Sequence, residues 1–137
     1  MGLVLDSGVL IAAERDAKPV SELLATLEQE HGETEIMLSS ITVIELEHGL
    51  HRANTTELVR KRRDYLDTVF AAIPVEPFTR ELAQVAAKID AEAKQTGRVI
   101  PFPDLLIGVT ALYFAYAIAT RNLRHFQMIP GLKVISL

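Results

Sequence analysis

The chain has 137 residues, of which 49% are hydrophobic and 23% are charged, with no cysteine and a formal net charge of −4. This composition is typical of a folded protein with a sizeable core, and the lack of cysteine excludes a disulfide scaffold, a thiolate zinc site and a cysteine nucleophile. The negative charge argues against a protein that coats nucleic acid, so any contact with phosphate must come from a local basic patch and bound cations.

The first half of the chain alternates short apolar runs with amphipathic segments. Apolar runs predict buried strands, and apolar residues spaced three or four apart predict helices. In chain order, the pattern predicts a strand at 3–5, a short helix at 8–13, a helix that starts after Pro19 and closes at His31, a strand at 35–38 and a helix at 41–50.

The second half continues the same alternation. It predicts a helix at 57–72, a minimal strand at 74–75, a helix from Thr79 to Gln95, an extended segment at 101–103, an apolar helix from Asp104 to about Phe114, and strands at 116–120 and 133–135. The order predicts one α/β domain over residues 1–137, a three-layer α/β/α sandwich with a mainly parallel sheet of four or five strands.

The N-terminus gives no sign of export or membrane insertion. It has no basic region and meets Asp6 after a short apolar run, and the longest apolar stretch, residues 105–120, is too short to cross a bilayer. We therefore expect neither a signal peptide nor a membrane span, and a cytoplasmic protein.

Three carboxylates, Asp6, Glu45 and Asp104, fall at predicted strand–helix junctions. Helix N-caps at Asp6 and Asp104, and a capping box between Thr42 and Glu45, are the alternative interpretations. In a parallel α/β sheet, however, these junctions converge at one edge. Three carboxylates gathered there repel one another unless a hard cation such as Mg²⁺ or Mn²⁺ neutralises them. Such an ion can activate a water and stabilise the transition state of phosphodiester hydrolysis.

Four segments in register resemble the motifs of the PIN-domain family, and within it the VapC-type toxins of bacterial toxin–antitoxin pairs. The segments, which cover nearly the whole chain, are Leu-Asp-Ser at 5–7, Ser-Ser-Ile-Thr-Val-Ile-Glu-Leu-Glu-His-Gly at 39–49, Gly-Arg-Val-Ile at 97–100 with Asp-Leu-Leu-Ile at 104–107, and Ala-Thr-Arg-Asn-Leu-Arg-His-Phe at 119–126 with Pro-Gly-Leu at 130–132.

The resemblance implies a metal-dependent endoribonuclease in which Asp6, Glu45 and Asp104 bind Mg²⁺ or Mn²⁺. It also implies a homodimer, and an antitoxin protein that inserts a segment into the active site. Family members often carry a fourth acidic residue where this chain has Asn122 or His125. Asn122 can still offer a carbonyl oxygen, so we expect a catalytic role for it and a site that holds one metal ion.

Further residues near the motifs are candidates for RNA contact. Ser7 stands where a hydroxyl supports the metal ligands, and Arg98 and Arg121 are predicted phosphate contacts because a guanidinium matches phosphate geometry. The basic run at 60–63 is interpreted as a solvated helix face.

The remaining polar and aromatic candidates have ordinary explanations. The histidines lack a recognisable metal-ligand spacing and are interpreted as surface residues. Tyr113, Phe114 and Tyr116 are predicted to lie in the core or in a dimer interface. A non-catalytic α/β binding or regulatory module, with Asp6 and Asp104 as helix caps, is the alternative function.

Overall fold

The structure, a computed structural model, describes residues 2–137. Its single five-stranded sheet contains β1 (Gly2–Leu5), β2 (Glu35–Ser39), β3 (Val75–Glu76), β4 (Ala117–Thr120) and β5 (Val134–Ser136). The strand order is β3-β2-β1-β4-β5, and every neighbouring pair is parallel. From β1 the chain adds β2 and β3 on one side of the sheet and then β4 and β5 on the other. The gap between β1 and β4 is therefore the topological switch point, where open parallel sheets bind their ligands.

Helices cover both faces of the sheet. They are α1 (Ser7–Arg15), α2 (Val20–His31), α3 (Ser40–His51), α4 (Thr56–Ala72), α5 (Arg80–Gln95), α6 (Phe102–Tyr113) and α7 (Leu123–Gln127). Leu3 and Leu5 of β1 point into a core built with α1 to α4, whereas Val4 points into a second core built with α5 to α7. This alternation is the two-residue period of a strand buried on both faces. The predicted three-layer sandwich with a parallel sheet is confirmed.

Two predictions near the C-terminal half are corrected. Residues 102 and 103 are helical instead of extended, because α6 begins at Phe102 and Pro103 lies in its first turn. A proline there costs no hydrogen bond, since the first N–H groups of a helix have no partner within it. The five-residue helix α7 was not predicted; it is held by Phe126, which is completely buried.

The aromatic cluster after α6 does not lie in the core of the chain. Tyr113 and Phe114 are 50% and 36% exposed, and their rings pack edge to face with centroids 5.2 Å apart. The prediction that Tyr113 and Phe114 lie in the core is therefore wrong, and their place in a dimer interface stays a prediction. Among residues 2–137, no helix is long and apolar enough to cross a membrane.

Candidate active site

Asp6 lies at the switch point of the sheet. It follows β1 directly, caps α1 through a hydrogen bond from the Ser7 N–H to Oδ1 at 2.9 Å, and is only 7% exposed. Its other oxygen, Oδ2, accepts a hydrogen bond of 2.8 Å from the hydroxyl of Thr120, the last residue of β4. The N-cap interpretation of Asp6 is thus correct, but capping uses one oxygen and does not exclude a role in the site.

Glu45 reaches Asp6 through a shared serine. The Ser7 hydroxyl donates to Glu45 Oε1 at 2.9 Å, while its backbone N–H holds Asp6. The predicted capping box is wrong, because α3 begins at Ser40 and is capped by the hydroxyl of Ser39, which places Glu45 in the second turn. Thr42 is completely buried, and its hydroxyl has no partner among residues 2–137.

Asp104 lies in the first turn of α6 and does not cap it. The N-cap residue is Pro101, which offers no side-chain hydrogen bond. Instead, Oδ2 of Asp104 lies 2.6 Å from Nδ1 of His125, and the two side chains are only 16% and 25% exposed. The N-cap interpretation of Asp104 is therefore wrong, and His125, interpreted as a surface residue, is partly buried against this carboxylate.

Asn122 closes a continuous polar path between the acids. Its backbone N–H donates to the Thr120 hydroxyl at 2.9 Å, and its side-chain Nδ2 lies 2.9 Å from Nδ1 of His125. The path runs from Glu45 through Ser7, Asp6, Thr120, Asn122 and His125 to Asp104. The three predicted carboxylates thus lie along one polar path, each in contact with a neutral or imidazole partner.

Burial and the neighbouring charges raise the pKa values of two of these acids. Burial raises the pKa of Asp6 above its ordinary value, and the charge of Asp104 raises it further, while the hydrogen bonds from Thr120 and Ser7 oppose the change. Burial also raises the pKa of Glu45, and both neighbouring acids add to that effect. Within residues 2–137, no Lys or Arg forms an ion pair with any of the three carboxylates.

The donor set fits Mg²⁺ or Mn²⁺. Both ions prefer oxygen ligands, and Mg²⁺ is commonly held by one or two carboxylates while it keeps several waters. The hydrogen bonds to Glu45 and Asp104 each involve one carboxylate oxygen, so the second oxygen of each side chain remains available to a metal ion. Within the described residues, however, no group of three or more His, Asp or Glu side chains is placed so that it could hold a metal ion, and direct binding by all three acids would require them to move closer together.

Among residues 2–137, neither predicted phosphate contact forms an ion pair with these acids, although Arg121 lies between Thr120 and Asn122 in the chain. Two nitrogens of the Arg98 guanidinium donate inside the protein, Nε to the Thr96 hydroxyl and Nη1 to the Met128 carbonyl, each at 3.0 Å. Arg121 is exposed and lines a groove between α1, α2 and the chain end at Leu137. The structure thus gives Arg98 a structural role and leaves the guanidinium of Arg121 exposed to solvent.

A groove between α1, α3 and α4, with a volume of about 250 Å³, has Glu45 in its wall. Leu46 and Leu66 form part of its apolar surface, and Arg52 and Arg62 add positive charge. Sequence reasoning assigned the basic run 60–63 to a solvated face. Arg62 instead donates to the Gly49 carbonyl at 2.7 Å, because α4 packs along α3.

The chain is thus a parallel α/β/α sandwich with acidic side chains near its switch point, the edge at which open parallel sheets bind their ligands. The family is shown by direct comparison. The family model that describes the PIN domain matches residues 3–131 of the sequence, so the chain belongs to the PIN-domain family.

Individual relatives match over nearly their whole length. The chain is 32% identical over 141 residues to the VapC ribonuclease Y4jK of Sinorhizobium fredii, with 98% of the chain and 96% of that protein covered. It is 29% identical over 136 residues to the Ribonuclease VapC of Rickettsia bellii, with 99% and 96% covered. The fold matches the solved VapBC2 structure from Rickettsia felis, bound to a DNA fragment from its promoter, with a TM-score of 0.86, 23% identity, and 100% and 99% of the two chains covered.

Proposed function

We propose that this protein is a metal-dependent endoribonuclease and the toxin of a type II toxin–antitoxin pair. One observation carries the proposal: Asp6, Glu45 and Asp104 come from three separate elements, interact electrostatically, and have no Lys or Arg partner among residues 2–137. Such a site costs stability unless a cation neutralises it. The relatives named as VapC ribonucleases support RNA as the substrate class.

The three carboxylates would hold Mg²⁺ or Mn²⁺ in this site. When bound, the ion supplies Lewis acidity toward the phosphate and lowers the pKa of a water that serves as the nucleophile. The chain's own contribution is to orient the ligands. Ser7 fixes Asp6 and Glu45 relative to one another, and Thr120 fixes Asp6 against β4. These bonds make the ligand geometry available before substrate arrives, which lowers the cost of reorganisation.

The decisive experiment compares two neighbouring acids of α3. Glu45→Gln removes a proposed metal ligand, whereas Glu47→Gln removes a carboxylate that pairs with Arg63 at 2.9 Å. We expect Glu45→Gln to reduce Mn²⁺-dependent cleavage of total RNA by more than the roughly 10- to 100-fold that outer-shell partners contribute. Glu47→Gln should cleave as the wild type does, and EDTA should abolish cleavage in both. Equal activity of the two variants would refute the metal site.

Binding and toxicity test the same site without a chosen RNA. Calorimetric titration with Mn²⁺ should show binding to the wild type and none to Asp6→Asn or Asp104→Asn. Expression of the wild type alone should arrest growth, while Asp6→Asn should not. Unchanged Mn²⁺ binding by both variants would favour the alternative, a non-catalytic module in which these carboxylates only support the fold.

The antitoxin partner is supported by the solved neighbours, which include VapBC complexes. We propose that the groove between α1, α3 and α4 receives an antitoxin segment, because it joins an apolar surface to the wall at Glu45. Ile11 lines this groove and is 48% exposed. Ile11→Glu should therefore abolish co-purification with the antitoxin while Mn²⁺ affinity is unchanged; intact co-purification would place the partner elsewhere. The implied homodimer is tested by analytical ultracentrifugation.

A further inference from the structure

His125 is the immediate partner of one proposed metal ligand. Its Nδ1 lies 2.6 Å from Asp104 Oδ2, a distance typical of a strong charge-assisted hydrogen bond. An ionised carboxylate can only accept hydrogen bonds, so Nδ1 carries the hydrogen and the imidazole is the donor. This contact involves a single oxygen of Asp104 and restricts rotation of its carboxylate.

The position of His125 is itself held by packing. It lies on α7 beside Phe126, which is completely buried and belongs to the core formed with α6. Gly108 of α6 allows this close packing, because a Cβ there would stand 3.2 Å from Phe126 Cδ1 and 2.4 Å from Ile129 Cδ1. The imidazole therefore approaches Asp104 from an anchored helix, although α7 has only five residues.

Asn122 lies beside the same ring nitrogen. Its side-chain amide lies 2.9 Å from His125 Nδ1, and its backbone N–H is bound by the Thr120 hydroxyl. The ring nitrogen is thus in contact with both Asp104 and Asn122. A ring nitrogen that donates to Asp104 cannot also accept from the Asn122 amide nitrogen, so the amide can bond it only through its oxygen, with the O and N positions of the amide exchanged.

We propose that His125 is a positioning residue that sets the carboxylate of Asp104 for divalent metal binding. The inference rests on the proposed function, because it concerns the same metal site. With Oδ2 occupied by the imidazole, Oδ1 remains as the ligand oxygen in a fixed orientation. Loss of such an outer-shell partner weakens metal binding about 10- to 100-fold in characterised sites.

The test is calorimetric titration of the full chain with Mn²⁺ alone, at one fixed pH. We expect His125→Ala to weaken Mn²⁺ binding about 10- to 100-fold. His125→Asn should restore most of the affinity, because Asn Nδ2 stands the same number of bonds from Cα as His Nδ1 and also donates. His51→Ala is the matched control, since His51 is an exposed histidine at the end of α3, and it should bind as the wild type does.

The outcomes separate this inference from the proposed function. A wild type that binds no Mn²⁺ overturns both. A wild type that binds, with His125→Ala binding equally well, overturns only the role of His125. Should His125→Ala unfold, His125→Asn decides: a folded variant with near wild-type affinity supports the inference, and one as weak as Asp104→Asn overturns it.

Discussion

Replacement of Thr120 by valine probes the way this fold holds its acids. Thr120 is completely buried at the end of β4, and its hydroxyl donates to Asp6 Oδ2 at 2.8 Å and accepts from the Asn122 N–H at 2.9 Å. Valine has the same shape without the hydroxyl. The variant therefore removes one hydrogen bond to a buried carboxylate and one to a backbone amide, while the packing of the side chain is retained.

The magnitude follows from these two bonds. A hydrogen bond to a charged group contributes about 1.5–3 kcal/mol, and one between neutral groups contributes about 1 kcal/mol. We expect the free energy of unfolding to fall by about 3 kcal/mol in Thr120→Val. The hydroxyl also lowers the pKa of Asp6, so its loss should raise that pKa further and make Mn²⁺ binding weaken more steeply as the pH is lowered.

Urea denaturation in EDTA at pH 7, followed by far-ultraviolet circular dichroism, measures the change. Thr120→Ser is the control, because it keeps the hydroxyl and loses one methyl group, at a cost of about 1 kcal/mol. It should bind Mn²⁺ nearly as tightly as the wild type. If Thr120→Val is no less stable than Thr120→Ser, the assigned role of the hydroxyl is refuted.

Four further predictions follow from the site and its packing. In EDTA at pH 7, Asp6→Asn should be more stable than the wild type, because it keeps an N-cap acceptor and removes a charge that burial disfavours. That difference should shrink as the pH falls. Because the pKa of Asp6 is raised in the folded chain, its carboxylate takes up a proton there before it does in the unfolded chain, and the cost of burying its charge disappears from the wild type. A difference in stability that stays constant with pH would contradict this. Calorimetry should give one Mn²⁺ per chain, because position 125 carries His in place of an acid; a stoichiometry of two would be inconsistent. Gly108→Ala should be destabilising in urea, because overpacking against Ile129 and Phe126 costs about 1–3 kcal/mol while helix propensity returns about 1 kcal/mol; an unchanged midpoint would disprove the clash.

The layered fold was predictable because it depends on local patterns. Apolar runs such as residues 3–5 cannot be solvated, and their alternation with amphipathic helices leaves a parallel sheet as the arrangement that buries both. The apolar run also predicts that β1 ends just before Asp6, as it does at Leu5. The start of α6 was misplaced because the disfavour of proline for a helical preceding residue is only a tendency: Phe102 precedes Pro103 and is nevertheless the first residue of the helix.

The position of Asp6 was also visible in the sequence, but the partners of the acids were not. Asp6 follows β1 directly, so its place at the carboxyl edge of the sheet was predictable. The predicted strand–helix junction at Asp104 is wrong, because α6 follows α5 with no strand between them. The bonds that orient the acids join residues far apart: Ser7 reaches Glu45 across 38 positions, Thr120 reaches Asp6 across 114, and His125 reaches Asp104 across 21. No local pattern encodes such pairs.

The sequence by itself determined which segments become strands and helices, since hydrophobic periodicity and chain stiffness act between near neighbours. Only the tertiary structure decided that His125 supports Asp104, that Arg98 is bonded inside the protein and that Arg62 joins α4 to α3. The physical reason is that a hydrogen bond forms only when donor and acceptor are placed to within a few tenths of an ångström. For residues far apart in the chain, that placement is set by the packing of the helices and strands that carry them.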